Sequence, residues 1–264
     1  MAIKAKTGIA FPASVANNGI MKKNSLPSLL VLPVLLLAAA ATVQARNLDI
    51  KWIEVEGGAF TPASGGSTRP ITLDGFFMSA TEVTFDQFDA YCEATGARKP
   101  DDAGWGRGSR PVLNVSWEEA AAFCRWLSRE IGAEIRLPNE AEWEYAAAGG
   151  NRSKGYRYSG SNTWREVSWS EGNSGGMPHP VGGKKPNELG LYDMSGNLWE
   201  MCADWPAGDP AKPRSASGSR DGGVKRAVHG NSYDNPASDP RRADVHVFLG
   251  EGHINVGFRV VKTI

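Results

Sequence analysis

The sequence predicts one α+β domain with few helices, short strands and much irregular structure. Three observations carry this. Helix-start signals of a single kind recur three times, all before residue 150. After residue 150 the texture changes to Trp, Gly, Asn and Ser, with short strand-like pieces between turns. The chain then closes on "NVGFRVVKTI", residues 255–264, which alternates and β-branches like a strand.

In chain order, "WIEVEGGAFTPAS" (52–64) reads as a strand, a Gly-Gly turn and a second short strand. "ITLDGFFMSATEVT" (71–84) continues with apolar and β-branched residues. Thr84 with Gln87, Ser116 with Glu119, and Asn139 with Glu142 each place a capping residue three before a Glu or Gln. The first starts "FDQFDAYCEAT", stopped by Gly96. The second starts "WEEAAAFCRWLSREI", with Trp117, Ala121, Cys124 and Leu127 or Ser128 along one side, stopped by Gly132. The third starts "EAEWEYAAA", stopped by Gly149-Gly150. "AKPRSASGSRDGG" (211–223) reads as a mobile, low-complexity loop.

Residues 1–45 stand apart from this domain, which spans 46–264. From Met21 with Lys22 and Lys23, an apolar stretch leads to Val43-Gln44-Ala45. That order of charge, apolar run and small residues predicts a secretory signal peptide cleaved after Ala45, hence a periplasmic or extracellular protein. A membrane anchor is the alternative, but Pro33 interrupts a run already short for a span. Residues 1–20 carry no readable targeting pattern. The full chain has 29 basic and 29 acidic residues. Cleavage removes Lys4, Lys6, Lys22 and Lys23 and no acid, leaving 25 basic against 29 acidic residues, a net charge of −4. No basic stripe survives, so nucleic acid and anionic membranes are poor partners. With Cys92, Cys124 and Cys202, an exported chain has an odd cysteine count and at least one unpaired thiol.

Four ordered stretches are more specific. They are "PVLNVSWEEAAAFCRWL" (111–127), "RLPNEAEWEYAAAGG" (136–150), "HPVGGKKPNELGLYDMSGNLWEMCADW" (179–205) and the closing "GNSYDNP…RRAD…NVGFRVV". Together, from about Trp52 to Val261, they resemble the formylglycine-generating enzyme, or sulfatase-modifying factor, superfamily. The resemblance implies a variant C-type-lectin-like fold and assigns Trp117, Trp126, Trp143 and Trp199 to the core. Arg241 and Arg259 are expected to pair with buried acids such as Glu142 or Glu144.

In "LYDMSGNLWE", Asp193 and Glu200 flank a Gly-containing turn, and mixed side-chain and carbonyl oxygens suit calcium. The resemblance implies a structural calcium held by the Asp193 side chain, the Gly196 and Leu198 carbonyls and the Glu200 side chain. Copper is not expected. Family oxidases convert a sulfatase cysteine to formylglycine with copper(I) on two thiolates placed just after the segment that here reads His229-Gly230-Asn231-Ser232-Tyr233. Copper(I) needs soft thiolates, no cysteine follows Cys202, and the first thiolate position falls at about Asn235.

Other relatives of this fold bind ligands through a C-terminal segment whose surface residues vary between fixed anchors. Here Gly230, Ser232, Tyr233, Arg241, Ala243, Gly257, Phe258 and Arg259 match the anchors. The expected ligand surface comprises Ser232, Tyr233, Asp234, Asn235, Asp244, His246, Phe248 and His253, with Leu249 beside them. The expected function is a binding or accessory module of the cell envelope, contacting a protein, peptide or small molecule. The alternatives are a non-copper oxidoreductase acting on a peptide or small molecule, and a sulfatase-maturation oxidase. His229, His246 and His253 could join Asp234, Asp239 or Asp244 in a nitrogen/oxygen metal site. No helical spacing supports that, and surface histidines are the expectation.

Overall fold

All three capping boxes form. The structure is a computed structural model that describes residues 48–63, 69–204, 224–238, 244–248 and 252–264. The leader expected over 1–45, the loop at 211–223, and Arg241, Ala243, Asp239 and Leu249 lie outside the described residues. Helices α1 (Phe85–Thr95), α2 (Trp117–Ile131) and α3 (Glu140–Ala147) start at Thr84, Ser116 and Asn139. Each cap side chain accepts the backbone N–H three residues on, and the residue there reaches back. Gly96 at φ 75° and Gly132 at φ 66° end the first two helices in the left-handed conformation. One expectation shifts: α2 buries Ala120, Phe123, Cys124, Trp126 and Leu127, while Trp117 and Ala121 are half-buried. The apolar stripe faces both α1 and the closing strand, so it is broader than one row. A further helix α4 (Trp164–Val167) lies in the loop-rich half.

The strands are β1 (Trp52–Val55), β2 (Gly58–Phe60), β3 (Ile71–Leu73), β4 (Phe76–Ser79), β5 (Ile135–Arg136), β6 (Trp199–Met201), β7 (Val224–His229), β8 (Asp244–Phe248), β9 (Val256–Gly257) and β10 (Val261–Thr263). They form one sheet in the order β1-β4-β10-β5, a hairpin β2-β3, and a second sheet β8-β7-β6-β9. The Gly57-Gly58 turn does not fold β1 onto β2; β1 pairs with β4, and β2 with β3.

The closing segment is not one strand. β9 runs parallel to β6 in one sheet, whereas β10 lies antiparallel between β4 and β5 in the other. Phe258, Arg259 and Val260 make the crossing, all wholly buried. Phe258 meets Phe88 and Phe123 edge-on at 6.2 and 5.6 Å, while Phe88 and Phe123 stack at 5.6 Å. Such pairs add about 0.5–1.5 kcal/mol each beyond area burial. Just upstream, Gly252 lies flush on the backbone: a Cβ there would stand 2.1 Å from Asn114 C and Val115 N. Of the four tryptophans expected in the core, Trp126, Trp143 and Trp199 are buried, while Trp117 is half-buried and packs against the core's edge. Among the described residues no helix is long and apolar enough to cross a membrane.

Candidate functional site

Arg259 reaches the site because the chain changes sheets at it. Its guanidinium donates to both oxygens of Glu200, from Nε at 2.6 Å and Nη2 at 2.7 Å. It also donates to the Tyr192 and Ser79 carbonyls at 2.8 and 3.2 Å. Both partners are wholly buried. Burial alone would depress Arg259; Glu200, with Glu82 and Asp193, more than offsets this, and the group is raised above its usual value. The expected partners were different: Glu142 instead takes two bonds from Arg136, and Glu144 accepts the Ala63 N–H. Glu200 faces Arg259 because β6 lies in the middle of its sheet, beside the crossing.

Two further acids complete this buried group. Glu82, which the sequence reading passed over, accepts the Leu198 N–H at 3.0 Å and Asn197 Nδ2 at 2.7 Å. Asp193 adopts φ 61°, accepts the Gly182 N–H at 2.7 Å through Oδ2, and leaves Oδ1 buried without a hydrogen bond. Burial first, then Asp193 and Glu200, push Glu82 well above the carboxylate range. Burial pushes Asp193 up to about 6, against the pull of the Gly182 N–H and of Arg259.

Calcium does not fit this arrangement. Of the four expected ligands, Glu200 has both oxygens committed, Oε2 also accepting Trp143 Nε1 at 2.7 Å. A calcium ion on Glu200 would have to displace a bidentate guanidinium that already supplies the positive charge. Asp193 Oδ1 is the one side-chain oxygen left open. Calcium is accordingly expected to leave the melting temperature unchanged against EGTA at pH 7. A rise of several degrees that Asp193→Asn abolishes would show that Arg259 yields Glu200 to the ion.

The C-terminal loop is held at many points. The Tyr233 N–H donates to the Asn197 carbonyl and Ser174 Oγ to the Tyr233 carbonyl. Trp199 Nε1 donates to Asn235 Oδ1 at 2.9 Å, and the Glu171 N–H to the Asn235 carbonyl. Asn231 Nδ2 closes the turn onto the Pro236 carbonyl. Of the expected surface residues, Ser232 and Tyr233 are buried and belong to the frame, with burial pushing the Tyr233 phenol up to about 12. Asp234 is exposed; it accepts from Ser232 Oγ at 2.8 Å and from Asn255 Nδ2 at 3.2 Å. Asn235 and His253 are half-buried. Asp244, His246 and Phe248 are in β8, in register with Val228, Arg226 and Val224 of β7. Ile254, not expected, presents 44% of its surface beside Asn255.

The cysteines offer no alternative thiolate pair. All three are free and buried. Burial first of all pushes Cys92 up to about 11, Cys124 up to about 12, and Cys202 well above the thiol range. One histidine overturns the surface expectation: His229 is wholly buried at the end of β7, its ring stacked on Trp143 at 5.2 Å.

Against known proteins, a family model described as the sulfatase-modifying factor enzyme 1-like domain matches residues 38–264. The chaperone protein LppX of Paenibacillus barcinonensis is 33% identical over 228 residues, covering 67% of this chain and 79% of that protein. The formylglycine-generating enzyme of Streptomyces coelicolor is 35% identical over 164 residues, covering 52% of this chain; the match spans only 47% of the enzyme. Among solved structures, Treponema denticola variable protein 1 superposes with a TM-score of 0.65 at 25% identity, covering 81% of this chain and 95% of that one. The few helices, the short strands, the two sheets joined at Arg259 and these likenesses give one answer: the chain belongs to the sulfatase-modifying factor family, with the C-type-lectin-like fold of the formylglycine-generating enzymes.

Proposed function

We propose that this domain is an exported binding or accessory module whose C-terminal loop, around Asp234, Ile254 and Asn255, is its contact surface. The observation that carries the reading is Asn235. It stands where family oxidases place the first copper thiolate, and its amide is instead fixed to the Trp199 indole. Export rests on the leader read in residues 21–45. A loop pinned through Tyr233, Asn235 and Asn231 presents Asp234, Ile254 and Asn255 on a preorganised frame, which lowers the ordering cost of binding. The relative named as a chaperone supports a polypeptide as the ligand. The solved structure named a variable protein supports a fold whose surface changes on a fixed frame.

The test has two arms on the purified protein. Reduced, denatured polypeptide is the first probe, with suppression of its aggregation as the readout. Wild type is expected to suppress at near-stoichiometric ratio, and Ile254→Asp to weaken the effect roughly tenfold, the loss of about 1.4 kcal/mol of apolar contact. A surface change of this kind leaves stability within about 0.5 kcal/mol. The second arm offers a Cys-X-Pro-X-Arg peptide with copper(I) or iron(II) in oxygenated buffer, and no formylglycine is expected by mass spectrometry. Equal suppression by wild type and variant, or peptide turnover, would overturn the reading; turnover with iron(II) would establish the non-copper oxidoreductase instead.

A further inference from the structure

The geometry points to a metal site that the family resemblance does not assign: Glu140, Glu144 and His229 hold a first-row divalent cation, with zinc as the reference ion. Glu140 and Glu144 are four residues apart on α3, so both carboxylates project from one face of the helix. His229 ends β7 opposite that face. One ligand atom from each residue can be chosen so that all three lie within 4.8 Å of one another, and all three residues are buried. Nε2 of His229 is 3.6 Å from Glu140 Oε2. Tetrahedral ligands at zinc distances stand about 3.3–3.5 Å apart, so this pair already has nearly the required separation.

The second observation is the ring itself. His229 is wholly buried, yet neither Nδ1 nor Nε2 makes a hydrogen bond. Leaving a buried polar group unmet costs roughly 1–3 kcal/mol, and two buried carboxylates beside a ring nitrogen favour a cation among them. A metal ion would satisfy a ring nitrogen and both carboxylates together. The surroundings also hold the donors still. Trp143 stacks on the imidazole, the Ala63 N–H donates to Glu144 Oε2 at 2.7 Å, and the Glu140 N–H is fixed by Asp204 Oδ2 at 2.6 Å. One nitrogen and two oxygens select a borderline ion such as zinc, cobalt(II), manganese(II) or iron(II). Calcium would want more oxygens and copper(I) would want sulfur. Three protein donors leave the fourth tetrahedral position to water or a bound group.

The experiment uses the protein stripped with a chelator and titrated with zinc or cobalt(II), read by bound metal per chain, cobalt visible absorption and melting temperature. We expect one equivalent bound with a clear rise in melting temperature, no rise with magnesium, and affinity at least tenfold lower in Glu140→Gln and His229→Ala. The near-isosteric Glu140→Gln, at the edge of the cluster, keeps the test decisive if His229→Ala does not fold. Absence of stoichiometric binding overturns the proposal. Binding that both variants retain unchanged also overturns it, because the metal is then on other histidines. Metal binding neither requires nor excludes the contact surface proposed above, so each reading fails by its own assay.

Discussion

Replacing Arg259 with Met is expected to cost about 3–5 kcal/mol, the range found when one partner of a buried ion pair is removed. Glu200 would then be buried without its cation, close enough to Glu82 and Asp193 to raise their proton affinities further. The Tyr192 and Ser79 carbonyls would also lose a donor. Against a typical total of 5–15 kcal/mol, one substitution would consume a large share of the stability. The damage is also topological, since Arg259 lies where the chain passes from the sheet of β6 to that of β4. Guanidinium chloride unfolding of Arg259→Met, Glu200→Gln and the double variant forms a cycle. The double variant is expected to be more stable than the sum of the single losses by roughly 1–3 kcal/mol, because no unpaired charge remains. Additive losses would show that packing, rather than charge, holds the crossing. Arg259→Lys is expected to recover only part of the loss, since an ammonium cannot form the two-pronged bond to Glu200.

The helices were legible because everything that specifies them is local. Thr84, Ser116 and Asn139 find their partners three residues away, and Gly96 and Gly132 stop the helices within one turn. The order of the family motifs carried the fold. What was not legible is what pairs across the chain. "NVGFRVVKTI" has the alternation of one strand, and nothing in that pattern marks where its two halves enter different sheets. Arg259 had Glu142 and Glu144 as plausible partners; only the placement of β6 beside the crossing selects Glu200, 59 positions away. Glu82, in "SATEVT", carries no local mark of burial, since its bond to Asn197 spans 115 positions. His229 was read with the loop aspartates that follow it. A signal for its real neighbours existed: Glu140 and Glu144 stand at helical i, i+4 spacing, but spacing alone does not say what strand packs over that face.

Asp193→Asn is expected to change how stability depends on pH, by about 2 kcal/mol between pH 4 and 7. Burial raises the folded carboxyl from 3.8 to about 6. The folded state therefore favours the protonated form. Below about pH 3 both states are protonated and burial exacts no ionic penalty. As the pH rises from 3 to 6 the unfolded chain ionises first and stability falls, and above about 7 the penalty is constant; two units correspond to about 3 kcal/mol in all, of which about 2 falls between pH 4 and 7. Asn has no such titration. It also tolerates the positive φ of 61° at this position, where most side chains are strained. Its amide oxygen can still accept the Gly182 N–H that Asp193 holds now. Relative to wild type, the variant should thus gain about 2 kcal/mol on going from pH 4 to 7. Removing the Asp193 charge also removes the second cause that raises Glu82, so the residual pH dependence should shift toward lower pH. Chemical denaturation of both proteins in EGTA at pH 4, 5, 6 and 7 measures this difference, and groups common to both cancel. Parallel curves would mean that Asp193 is ionised in the fold at pH 4, and that Arg259 neutralises two carboxylates at once.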